Sequence, residues 1–510
     1  MAFVARRFHD DTAHSPYSVR TNAHTLEWDI KPFPFKVYTD VPAIALPREI
    51  DVVATPTLEA LARPASPAAR LTLPALTALL YYTAGVTKKK VYPGGAEVLF
   101  RAAASTGALY QTEVYVVAGD VDGLDAGLYH FCPGDFTLRR LRQGDVRSAL
   151  AEAAADGSVA RRAAALVLTA IYWRNTWKYQ ARGYRHLFWD SGTMLANALA
   201  VGDALGLAPR VLTGFVDGDV NRLLGVDAAH EAALELLTLG PEDAPARAAG
   251  ALPPIAHEVM PLSSAEVDYP SLREAYEAST LAAAKEVEAW RKATAPAPRE
   301  PSGPLTPLPP PPAESRPLGE AIQRRGSTRR FAHAPISASE LAGALWAATR
   351  SIPADVPDGL VDLYLVVNAV DGVAPGAYAY WPGRGLERLR EGTFRRESAY
   401  LTLEQSLGGD AAAVIYVLAP LDTVLSTWGE RGYRLVNLQA GVAGGRAYLA
   451  AYATGFGASG LTFYDADVVR FFSPHATGRD AIFVTALGRA SGARDDVLPS
   501  TRIPPPTRRT

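Results

Sequence analysis

The sequence predicts two tandem copies of one domain that mixes helices and strands, and three repeated stretches carry that expectation. The stretch Arg174 to Asp219 recurs from Arg431: Arg182 maps to Arg431, Gly192 to Gly441 and Gly206 to Gly455, each a shift of 249 (431 − 182). The hairpin-like GLYHFCPGDFTLRRLRQGD recurs as GAYAYWPGRGLERLREG, with Gly127, Tyr129 and Pro133 mapping to Gly376, Tyr378 and Pro382. The strand-like AAALVLTAIYW is matched by AAAVIYVLAP.

Taken in order, residues 1–70 read as an extended arm, because KPFPFKVY and VPAIALPRE are broken by proline. The first copy spans 71–293. LPALTALLYY has helical periodicity and stops at Gly85, and Lys88, Lys89 and Lys90 read as a solvated loop. Small residues Ala102 to Gly107 then precede an alternating strand around Val114 to Val117. Such side chains let a ligand approach exposed backbone N–H groups. Pro133-Gly134 supplies a turn. The Arg174 stretch opens as a polar turn with Lys178, Tyr179, Arg182, Tyr184 and Arg185. It continues as a helix through Met194, Leu195, Ala198, Leu199, Gly202 and Leu205, ended by a left-handed Gly206. A helical segment near Ser271 to Lys292 follows. The proline-rich stretch 294–317 reads as an extended tether. The second copy spans 318–510, opening at AIQRRGSTRRF.

The 510 residues are long enough for two cores, and 48% are hydrophobic and 20% charged. A formal charge of −2 argues against a nucleic-acid binder. The single cysteine, Cys132, fits a reducing cytoplasm, and no run approaches the length of a membrane span. No His or Cys cluster has metal spacing, so no metal is expected. Asp190, Asp217 and Asp219 read as turn and cap residues. Arg182 and Arg185 recur as Arg431 and Arg434, so shared scaffold bonding accounts for them better than catalysis.

The copies differ where chemistry is expected. Lys178 and Tyr179 map to Thr427 and Trp428. The small-residue loop around Ser105 has no counterpart in the second copy. Conversely, Arg325, Ser327 and Arg329 in RGSTR have none in the first. Each half holds what the other lacks, which predicts one composite site between them. Arg-x-Ser-x-Arg suits a phosphate through charge-assisted bonds and a hydroxyl, although a basic surface patch has the same composition. Lys178 beside Tyr179 suits acid/base work in either of two ways. An ammonium could pull the phenol below its ordinary value of ~10, or Lys178 could itself be the base, lowered by burial.

The motifs RAAASTGALYQTEVYVV, GLYHF, KYQARGYRH, DSGTMLANALAVGDALGLAPRVLTGF and RRGSTRRF together resemble the nitroreductase-like flavoproteins. Within them the sequence is similar to the SagB-type (ThcOx-like) dehydrogenases of ribosomal peptide maturation, in a tandem form. The resemblance implies an α+β fold, here an intramolecular pseudo-dimer with further homodimerisation open, and FMN between the halves. It implies that Arg325, Ser327 and Arg329 contact the flavin and its phosphate from one half, and Ser105, Thr106 and Gly107 from the other. Ala104 stands where the family usually has proline and Thr106 where alanine is common. Ser459, Gly460 and Leu461 match a loop near the flavin edge, and Arg502 a C-terminal phosphate contact. Lys178 and Tyr179 match the KYxxRxYR motif of azoline oxidases. The implied activity is oxidation of peptide thiazolines or oxazolines to azoles, with a peptide substrate, which could carry a leader, and a cyclodehydratase as partners. Two alternatives stand beside it: an NAD(P)H-dependent FMN reductase of small nitro or enone compounds, and a flavin-free scaffold subunit.

Overall fold

Each copy builds a seven-stranded antiparallel sheet, and the two sheets share one strand order. The computed structural model describes residues 3–62, 69–92, 95, 97–242, 252–295, 297, 299–492 and 498–499. The first sheet runs Ala43–Ala45, Thr137–Gln143, Gly127–Cys132, Thr112–Ala118, Ala164–Ile171, Glu231–Leu239 and Arg210–Leu212. The second runs Leu305–Thr306, Gly385–Glu391, Gly376–Trp381, Asp362–Val367, Ala413–Ala419, Asp480–Gly488 and Gly457–Gly460. The middle strands Thr112–Ala118, Ala164–Ile171 and Ala413–Ala419 are buried along their whole length. Their continuous apolar runs reflect cover on both faces.

Between the sheets lie two long helices, Gly183–Ala204 and Gly432–Thr454, each buried almost all round. A helix apolar on every side needs cover on every side, and each of these finds it in its partner. Gly192 and Gly441 mark the crossing. A Cβ on Gly192 would lie 2.6 Å from the Leu438 carbonyl oxygen, and one on Gly441 would lie 2.4 Å from that of Trp189. Trp189 Nε1 donates to Asn437 Oδ1 at 2.8 Å beside them. Gly206, at φ +70°, follows the end of the first long helix.

Four expectations change. The polar turn before the first long helix is itself helical, Tyr172–Tyr179 followed by a 3₁₀ turn Gln180–Arg182; only Gln180, at φ +52°, breaks it. Lys88–Lys90 belong to a strand, Val86–Val91, paired with Glu97–Arg101 and with Leu498–Pro499. Lys88 and Lys89 are paired on both sides, and all three lysines are half-buried rather than solvated in a loop. The proline tract is extended but not free: Leu305–Thr306 joins the edge of the second sheet, and Ser302 Oγ donates to Glu387 at 2.6 Å.

The fourth concerns the N-terminus, which folds rather than trailing as an arm. Ala5, Phe8 and His9 fall at helical spacing, are buried on the helix Val4–Asp11, and Phe8 packs edge-on to Tyr184 and Tyr433. This helix repeats in Pro270–Ala278, at a shift of 267 (276 − 9). The His9 carbonyl accepts from Arg185 and the Thr12 carbonyl from Arg182, while the Tyr276 carbonyl accepts from Arg434 and that of Ser279 from Arg431. The duplication therefore reaches the opening residues.

Candidate functional site

The loop of small residues is fixed from below by an acid in the middle of the first long helix. Asp190 accepts from Ser105 Oγ at 2.6 Å, from Thr106 Oγ1 at 2.7 Å and N at 2.8 Å, and from Gln111 Nε2 at 2.7 Å. Burial raises its pKa to about 6, although these donors work against the rise. Asp190 is thus a loop anchor, not the turn or cap residue its sequence suggested. Thr193 Oγ1 adds a bond to the Ala104 carbonyl at 2.6 Å. These bonds hold the turn without a proline at 104, and the Thr106 hydroxyl has a use that an alanine would lack.

Gly107, at φ +64°, closes the loop against Tyr179: a Cβ there would lie 2.8 Å from the tyrosine Oη. Lys178 Nζ sits 5.3 Å from the Tyr179 ring centre, and His186 packs edge-on to the same ring at 4.6 Å. Desolvation lowers the Lys178 pKa, helped by the positive charges of Arg329 and Lys31. Tyr179 moves the other way: burial pushes it up, Asp190 adds to this, and Arg329 only partly opposes it. The first acid/base arrangement, a phenol pulled down by the ammonium, is not what the electrostatics describe: Tyr179 stays a phenol, and Lys178 is the group whose pKa falls.

The second copy reaches the same place. Arg325 is buried and donates through Nε to the Ala102 carbonyl at 2.8 Å and through Nη2 to that of Arg101 at 2.8 Å. Lys88 Nζ returns the contact, donating to the Arg324 and Arg325 carbonyls. Arg325, expected on a phosphate, therefore braces the small-residue loop, whose carbonyls would otherwise be buried without donors. Ser327 Oγ lies 3.2 Å from Tyr448 Oη, which accepts from the Gly460 N–H at 2.5 Å. Tyr448 thereby links Ser327 to the 459–461 segment. That segment is not a loop throughout: Gly457–Gly460 is an edge strand, and Leu461 is buried just beyond it. Arg502 lies outside the described residues.

One cavity of about 2050 Å³ is lined by Gly107 and Lys178 from the first copy and Thr328 and Arg329 from the second; Ser105, Thr106, Ser327 and Ser459–Leu461 do not line it. Aromatic side chains Phe33, Phe35 and Tyr110 line it too. Arg329 is exposed and makes no side-chain hydrogen bond among the described residues, and the buried Ser459 Oγ has no partner among them. The Arg329 cation beside apolar and aromatic walls fits a flat ring system with an anionic tail. Among the described residues no group of His, Cys, Asp or Glu could hold a metal ion, and no helix is long and apolar enough to cross a membrane.

The pseudo-symmetric position is filled by protein. Asp355, from the second copy, accepts from the Thr213 N–H at 2.8 Å and the Gly214 N–H at 2.9 Å, and Arg291 Nε donates to it at 2.9 Å. Trp290 packs where a Cβ on Gly214 would be, 2.8 Å away, and donates to the carbonyl of Trp428, the counterpart of Tyr179. Gln439, the counterpart of Asp190, holds the neighbouring chain by accepting from the Leu360 N–H at 3.0 Å.

The Nitroreductase family matches residues 57–240 and 322–475. A protein of Methanocaldococcus jannaschii ascribed to the nitroreductases, MJ1384, is 29% identical over 157 residues, 31% of this chain and 75% of that one. The microcin B17-processing protein McbC of Escherichia coli is 30% identical over 129 residues, 24% of this chain; the match spans 47% of McbC. A crystal structure of an Anabaena variabilis protein, also ascribed to the nitroreductases, superposes with a TM-score of 0.78 at 27% identity. That match covers 96% of this chain and 100% of the other.

Proposed function

Since the chain belongs to the nitroreductase family, we propose that it is an FMN-dependent dehydrogenase that oxidises thiazoline or oxazoline rings in a peptide to the aromatic azoles. The observation that carries this reading is Lys178, a lysine of lowered basicity on the cavity wall, where the second copy has Thr427. Similarity to a microcin B17-processing protein supports a peptide as substrate.

Ser327 and Arg329 would hold the phosphate of FMN, joined by Arg502, and Ser105–Gly107 with Ser459–Leu461 would flank the ring system. Arg325 braces that loop from outside. Aromatisation removes two hydrogens from the azoline ring: one leaves as a proton, the other as hydride with the electron pair of its C–H bond. Bound FMN would supply the acceptor for the hydride. Lys178 Nζ takes the proton, and its lowered pKa makes the free amine available nearer neutrality. Tyr179, kept protonated, orients by its hydroxyl over Gly107 rather than by charge. A cyclodehydratase that forms the azoline would act before it, in the cytoplasm.

The test begins with the absorption spectrum of the purified protein, where flavin bands are expected. Incubation with an azoline peptide should then lower the peptide mass by two hydrogens per ring. A colourless protein that takes up no FMN would support a scaffold role. Steady NAD(P)H consumption with nitroaromatics, without peptide conversion, would support the small-molecule reductase.

A further inference from the structure

Two large aromatic side chains stand exposed at the edge of the cavity, Trp28 (65% exposed) and Tyr92 (43%). Each carries a lysine: Lys31 Nζ lies 5.3 Å from the Trp28 ring centre, and Lys90 Nζ lies 4.9 Å from that of Tyr92. Trp28 is not a loose side chain, since it packs edge-on against the buried Trp177 at 5.3 Å. Trp177 Nε1 in turn donates to the Glu27 carbonyl at 2.9 Å, and the Phe33 N–H donates to the Leu262 carbonyl at 2.8 Å. Trp177 directly precedes Lys178, so the edge and the proposed base share one helix. Two carboxylates reach the same lining, Asp29 and Glu97, and Glu97 is already paired with Lys89 at 3.0 Å.

An exposed, rigidly seated tryptophan marks a contact surface rather than a spare core residue. A lysine stacked on such a ring, as Lys31 is on Trp28, presents both charge and apolar area, which suits a partner carrying carboxylates among apolar side chains. We propose that this edge, Trp28 with Lys31 and the neighbouring Tyr92, docks an acidic, partly apolar segment of the peptide whose ring is oxidised at Lys178. The inference rests on the peptide reading above and adds the character of the sequence flanking the ring. A nucleic acid is the poorer match, because the chain as a whole carries a net charge of −2.

The test is equilibrium binding, read by fluorescence anisotropy on the full chain, with a labelled peptide of alternating Glu and Leu, its Gln counterpart and its Lys counterpart. The Glu peptide should bind at least tenfold more tightly than the Gln peptide, and the gap should close at high salt. Trp28→Ala with Lys31→Glu should cost the Glu peptide at least tenfold, with circular dichroism unchanged because both positions are on the surface. Equal affinity for the Glu and Gln peptides, an unaffected double variant, or preferential binding of single-stranded nucleic acid would each overturn the docking surface. Because no turnover is read, binding of the Glu peptide by a protein that converts no azoline would keep the docking surface and remove only the reaction.

Discussion

The guanidinium of Arg185 lies 2.6 Å from the carboxylate of Asp465, across the boundary between the two copies. Arg434 meets Asp217 at 2.7 Å in the opposite direction, so each half contributes two arginines and one aspartate to a reciprocal lock. All six side chains are buried. Burial opposes ionisation of Asp465, but Arg182 and Arg185 overcome it and hold the carboxyl below its usual range. Removing one partner leaves charge stranded in the interior. Asp465→Ala should therefore lose about 3–5 kcal/mol in chemical denaturation. Asp10→Ala, which breaks an exposed pair with Arg6, should lose under about 1 kcal/mol. Comparable losses would show that the lock contributes no more than a surface pair.

The same lock shows what a single sequence makes legible. Arg182, Arg185, Gly192 and their counterparts stand out because both copies retain them, and the retained function is packing between the long helices. Lys178 and the 325–329 cluster stand out for the opposite reason, since only one copy has each. Asp190 did not stand out: an acid inside an apolar helix carries no local signature, and its partners lie 79 to 85 residues away in the chain. Tyr448 was hidden in the same way, by partners on two other segments. The opening helix escaped because its repeat at 270–278 shares backbone bonding more than side chains; at the shift of 267 the helices have one identical residue, Arg6 and Arg273.

A buried glutamate makes stability depend on pH. Glu235 lies inside the first sheet, and desolvation raises its pKa to about 8 from an ordinary value near ~4.5. The folded state then holds a proton that the unfolded chain releases, so stability falls as pH rises through that interval, by at most about 1.4 kcal/mol per pH unit. Asp190, raised to about 6, acts with the same sign lower down. Between pH 6 and 8 Asp190 no longer contributes, but His9, His130 and His186, whose pKa burial lowers, act there with the opposite sign as the imidazoles of the unfolded chain lose their protons. Measured against the parent protein, Glu235→Gln should make the change of Tm with pH more positive across that window. An unaltered slope would mean that Glu235 is ionised in the fold.

Asymmetry between the copies sets the kinetic prediction. Lys178→Ala should lower kcat for azoline oxidation by about 10²-fold or more, the contribution usual for a general base. Bound flavin should stay intact, because Lys178 faces the cavity while the loop is held by Asp190 and Arg325. Thr427→Ala, at the matching position, should leave both unchanged. In the parent protein, kcat should rise with pH through a pKa below that of a free lysine, and this limb should vanish in Lys178→Ala. Equal effects at 178 and 427, or loss of flavin at 178, would contradict the assignment.

The filled pseudo-symmetric position predicts stoichiometry. Trp290, Arg291 and Asp355 occupy the space that would mirror the cavity, and Asp355 uses the Thr213 and Gly214 N–H groups. A ring system could enter only by displacing a tryptophan that is 8% exposed. Titration with FMN should therefore saturate at one flavin per chain, read by absorbance against protein concentration. Trp290→Ala should lose about 3–5 kcal/mol of stability, as truncation of a buried aromatic does, without a second flavin appearing. The position lacks the small-residue loop and the Lys-Tyr pair as well as space, so opening it alone is insufficient. Two flavins per chain, in the parent or in the variant, would show that the second half has kept a working site.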